Sequence, residues 1–128
     1  MHKYLSEIMR NKPCFLEFPK EWKFWKQRWQ YGFDQRETYA LNDTFYCWLY
    51  ERLRMYVDTA GKIIDLEYHR FIWKGKGYTQ LDLIKELLTR LEFYFKSSED
   101  CILLNEEEEK IILEIGEIWA LLLPAMWW

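Results

Sequence analysis

Cationic and aromatic side chains are interleaved through WKFWKQRWQYGFD, residues 22–34, and Arg36 follows closely. The mixture suits an anionic ligand that carries a base. Guanidinium and ammonium groups hold phosphate, and flat rings stack on bases for about 1–3 kcal/mol each. Trp25, Arg28, Trp29, Tyr31 and Arg36 are therefore the candidate binding residues, with Lys74 and Lys76 from a later KGKG reversal as further cations. A second reading competes for the same side chains. Trp22, Trp25 and Trp29 stand at the spacing of one helix face, which reads first as a core stripe. Arg28 and Arg36 stay open between a bound phosphate and a structural ion pair with Asp34, Asp43 or Glu51.

Other chemistry finds little support. His2 and His69 are isolated, and no nucleophile elbow, zinc-protease helix or phosphate-cradling glycine loop occurs. Cys14, Cys47 and Cys101 are odd in number and lack the paired spacing of a metal site or disulfide framework. Cys47 reads as a small core residue in a reducing compartment. The four glutamates at 106–109 would radiate around a helix axis instead of converging on a cation. The expectation is a non-enzymatic protein with no catalytic residues, no metal and no cofactor.

The chain has 128 residues, half of them hydrophobic, with eight Trp, nine Tyr and eight Phe. That is enough apolar material for one domain over residues 1–128. A net charge of -3 argues against general nucleic-acid binding, which depends on neutralising phosphates. The charge is uneven, because cations outnumber acids before Gly32 while residues 99–117 are strongly acidic. No apolar run reaches the roughly 18 residues that would span a bilayer, so no membrane partner is expected.

The elements that must position these groups follow from periodicity and breakers. A short helix fits residues 2–11, and a second begins near Pro19 and ends at Gly32. Asp34 and Glu37 have capping-box spacing before a short helical turn, and Asn42 or Asp43 is placed to cap the next helix. That helix carries Phe45, Trp48, Leu49, Leu53 and Tyr56 and stops at Gly61. Ile64, Leu66 and Tyr68 alternate, then Phe71 and Trp73, which predicts one β-hairpin over residues 62–79 closed by KGKG. Thr79 and Asp82 cap a helix with Leu81, Ile84, Leu88, Leu91 and Phe95, ending near two serines. After a loop, Asn105 caps a final helix with Ile111, Ile112, Ile115, Ile118, Trp119 and Leu122, which Pro124 ends. The apolar C-terminal end is expected to be buried or to form a homo-oligomer contact. The fold class is mainly α: a compact helical domain of about four to five helices with one small β-hairpin, α+β at the margin.

RWQYGFDQRETYALNDTFYCWLYERLRMY resembles a pattern in small bacteriophage proteins, R-x-x-YGFD-x-R-D-T-W-x-L-D-x-T-F-x-x-W-L-x-x-x-L, matched at Arg28, Tyr31, Gly32, Phe33, Asp34, Arg36, Thr38, Leu41, Thr44, Phe45, Trp48, Leu49 and Leu53. HRFIWKGKGYTQ and IWALLLPAMWW are similar to later parts of such proteins. The chain departs from the pattern at Glu37, Tyr39 and Asn42. The resemblance implies a viral protein in the cytoplasm of the infected bacterial host and carries no catalytic residues with it. Two functions are expected. One is counter-defence by sequestering a nucleotide-type immune signal in a basic aromatic pocket. The alternative is a protein–protein inhibitor or adaptor of a host defence protein, through exposed aromatics or through DNA mimicry by the acidic segment. A phage assembly or replication accessory is a further alternative.

Overall fold

A computed structural model describes residues 18–38, 41–97 and 105–127. Four α-helices and one two-stranded antiparallel hairpin lie within them, as the mainly helical reading requires. The helix expected over residues 2–11 and the loop expected after the serines fall outside the described residues. By packing, the chain divides into two compact units, residues 1–48 and 49–128.

In the first unit, α1 spans Phe18–Tyr31, with Pro19 in its first turn where a missing N–H costs nothing. Gly32 ends it at φ 83°, and its N–H donates to the Arg28 carbonyl at 2.9 Å. A 3-10 turn, Gln35–Thr38, follows. Half of the expected capping box forms: the Asp34 N–H donates to Glu37 Oε2 at 3.0 Å. The other half is lost because the tight turn sends the Glu37 N–H to the Asp34 carbonyl, freeing the Asp34 carboxylate for Arg36. Helix α2, Leu41–Ala60, starts one residue too early for Asn42 or Asp43 to cap it. Both sit inside its first turn, where the Asp43 charge favours the helix dipole. The Thr44 hydroxyl ties α2 back to the Glu37 carbonyl at 2.9 Å.

In the second unit, α2 closes at Gly61, whose N–H donates to the Val57 carbonyl. The alternation over residues 62–69 does not become a strand. The N–H groups of Ile63 and Ile64 bond back to the Ala60 carbonyl, and Asp65 accepts from the Glu67 N–H, so the segment curls into turns. Of its alternating residues Leu66 is buried and Tyr68 is exposed. The hairpin is shorter than expected: β1, Arg70–Trp73, pairs with β2, Lys76–Thr79, from Arg70 opposite Thr79 to Trp73 opposite Lys76. Lys74 and Gly75 turn the chain with both φ angles positive, 51° and 74°, the geometry that a two-residue hairpin needs.

Helix α3, Gln80–Ser97, starts at the expected cap, with the Thr79 hydroxyl accepting from the Asp82 N–H. Helix α4, Glu106–Leu122, begins with a complete capping box between Asn105 and Glu108. α3 and α4 pack together, and Leu83, Leu87 and Leu91 of α3 and Ile115, Ile118 and Leu122 of α4 are buried. Each such side chain contributes about 1.5–3 kcal/mol when fully buried. Gln80 is wholly buried at the head of α3, and its amide Nε2 donates to the Tyr56 hydroxyl and the Ala125 carbonyl at 3.3 Å each. The last described residues are less covered than their composition suggests. Leu122 is buried, but Leu123 in the 3-10 turn Leu123–Ala125 and Trp127 beyond it are exposed.

Candidate functional site

Asp34 organises the first unit. Its carboxylate is fully buried and accepts from Arg28 Nε at 2.7 Å, from Arg36 Nη2 at 2.8 Å and from Arg36 Nε at 3.0 Å. The Arg36 backbone N–H adds a bond at 3.0 Å. Arg28 Nη2 lies 4.0 Å from Glu37 Oε2, so two arginines face two acids in one cluster. Burial pushes the Asp34 carboxyl up, but the Arg36 hydrogen bonds and the two guanidinium charges outweigh it and hold the group below the ordinary aspartate range. Arg36 also lies over the Phe24 ring, 4.4 Å from its centroid. The guanidiniums that the sequence offers to phosphate thus hold the corner after Gly32.

The tryptophan stripe does not form the expected core. Trp29 is 94% exposed and Trp22 57%, while Trp25 is half-buried. Periodicity places these residues on one side of a helix without saying what that side faces. Lys26 stands between Trp22 and Trp29 on the same side and is exposed, with Lys23 exposed beside it. Tyr31 and Phe33 are also exposed, their rings 6.1 Å apart and tilted. Phe45 and Trp48, expected on the apolar side of α2, are partly exposed and stacked, with centroids 6.1 Å apart.

Lys74 and Lys76 belong to the second unit. Lys74 Nζ is 2.5 Å from Glu114 Oε1 and lies over the Trp73 ring, while Lys76 lies over Tyr78. Glu114 also accepts from Arg90 Nε at 2.7 Å, and Arg90 packs on the Trp73 ring and pairs with Glu86. Burial pushes the Glu114 carboxyl up, yet the hydrogen bonds from Lys74 and Arg90 leave it below its ordinary value. This network pins the hairpin to α3 and α4.

Among the described residues no cluster of His, Cys, Asp and Glu is arranged to hold a metal ion. None of their helices is long and apolar enough to cross a membrane. Two features escaped sequence reasoning. Asp34 was legible as a corner and as one of three candidate partners of Arg28 or Arg36, but not as the acceptor of both at once. Lys26 was legible as a flanking cation, and its place between two exposed indoles required the burial of α1. The first unit therefore presents an exposed aromatic and lysine face. Compared with known proteins, the chain matches no family model, no curated protein and no solved structure.

Proposed function

We propose that the chain is a non-enzymatic binding protein that acts by occupying a protein partner through the face formed by Trp22, Lys26 and Trp29. The observation that carries this reading is the 94% exposure of Trp29. A tryptophan held in water forgoes a large burial free energy, and tryptophans dominate interface hot spots when a partner covers them. Lys23 and Lys26 beside it suit an acidic rim on that partner. In keeping with the resemblance to bacteriophage proteins, the partner class is a defence protein of the bacterial host, met in the infected cell's cytoplasm.

The nucleotide reading is second. The open Trp29 indole favours it, since a base stacks on such a ring and Lys23 or Lys26 is near for phosphate. Against it, Arg28 Nε and Arg36 Nε and Nη2 are already bound to Asp34. The two readings separate in one pair of measurements. Pull-down from host lysate with wild type, Trp22→Ala and Trp29→Ala tests the first, and unchanged capture by both variants overturns it. Calorimetry against cyclic dinucleotides and ADP-ribose derivatives tests the second, and absence of heat with wild type removes it.

A further inference from the structure

We propose that the second unit carries a binding site for an organic cation, an ammonium or guanidinium group, in a cavity between residues 64–69 and the C-terminal segment. The cavity holds about 250 Å³ and is lined by Ile64, Asp65, Tyr68, His69, Ala125 and Trp127. Its contents differ from those of a packing defect. Tyr68 is 77% exposed and Trp127 69%, so two large rings of the lining remain in water instead of closing the space. Tyr68 and His69 meet edge to face with centroids 5.4 Å apart, which turns the two rings in different directions.

The charge of the lining selects the ligand. Among the described residues that line it, Asp65 is the one carboxylate and none is a lysine or arginine. Asp65 Oδ1 is fixed by the Glu67 N–H at 2.9 Å, and the second carboxylate oxygen takes no part in that bond. An anion would meet that carboxylate with no described lysine or arginine of the lining to offset it. An organic cation meets both a carboxylate and the negative faces of aromatic rings, the combination that holds quaternary ammonium groups and arginine side chains. The volume is of the right order for either group.

The walls are held in place before any ligand arrives. Gln80 bonds to both: its backbone N–H donates to the His69 carbonyl at 3.1 Å, and its side chain donates to the Ala125 carbonyl at 3.3 Å. The Tyr56 hydroxyl adds a bond to the Trp127 carbonyl at 3.4 Å. One buried residue thus sets the distance between the two sides of the cavity, which lowers the ordering cost of binding. The site lies entirely in the second unit, and its fate is independent of the Trp29 face.

The test uses the full chain in mildly alkaline buffer, with the Trp127 indole N–H followed by NMR. Choline, its neutral isostere 3,3-dimethylbutan-1-ol and N-acetyl-arginine amide are titrated separately. Choline or the arginine derivative should move the Trp127 resonance and bind about tenfold more tightly than the neutral alcohol. Tighter binding of choline assigns the site to a free ammonium compound, and tighter binding of the arginine derivative assigns it to a side chain of a peptide. Asp65→Asn, which keeps the side-chain size, should weaken the preferred cation about tenfold. Equal binding of choline and its isostere, or no shift at Trp127 with either cation, overturns the proposal.

Discussion

Arg28 and Asp34 meet at 2.7 Å across the corner made by Gly32, and the contact occupies the guanidinium with an acid of its own chain. Arg36 joins the same carboxylate from the other side. Asp34→Asn leaves both arginines with a neutral acceptor in place of a buried charge. A loss of about 2–3 kcal/mol is expected on urea unfolding followed by circular dichroism.

The pH dependence of the Asp34 cluster and of the separate Glu114 network has a definite sign. Asp34 and Glu114 both have folded-state pKa values below their ordinary ones, so the unfolded chain binds more protons in acid. The stabilisation is complete above the ordinary carboxylate range of about 4 and is lost as the pH falls below it. Urea midpoints measured from neutral to acid pH should drop for wild type and drop less for Asp34→Asn.

Gly32 is required for its backbone and not for space. Among the described residues other than its chain neighbours, no atom lies within 4 Å of a Cβ added there, while φ is 83°. Gly32→Ala should cost about 1–2 kcal/mol, and Gly32→Asn less, because asparagine tolerates the left-handed region. Thermal unfolding of the two variants checks the order.

Glu114→Gln should destabilise the second unit by about 2 kcal/mol, because the Arg90 side chain, 16% exposed, loses a charged acceptor. Lys74→Ala should cost under about 1 kcal/mol, since the lysine is half in water. A difference between the two variants in chemical unfolding is the readout, and equal losses would contradict the network's assignment to Arg90.

Trp29→Ala should leave stability within about 0.5 kcal/mol of wild type. Partner capture should fall by about tenfold or more if the indole is a hot spot. Unfolding and pull-down on the same preparation separate the two effects.

Features set by nearby residues were legible in the sequence. Pro19 and Gly32 bracket α1, Asn105 and Glu108 form their box, Thr79 caps α3, and Lys74–Gly75 makes the hairpin turn. What was not legible depends on the environment of a face or on competition between local patterns. The spacing of Trp22, Trp25 and Trp29 is the same whether they look inward or outward. Ile64, Leu66 and Tyr68 alternate like a strand, but the Ala60 carbonyl and Asp65 side chain claim the backbone N–H groups first. The lining of the cavity joins residues far apart in sequence, and no local spacing announces it.

The buried amide of Gln80 also joins parts of the chain that are synthesised far apart in time. Its side-chain partners lie 24 residues before it and 45 residues after it. A growing chain that has already made α2, the hairpin and α3 still lacks Ala125, so burying Gln80 at that stage would leave a donor without an acceptor. The second unit is therefore expected to close late, once its C-terminal segment has been made, because contacts of such long sequence separation form slowly.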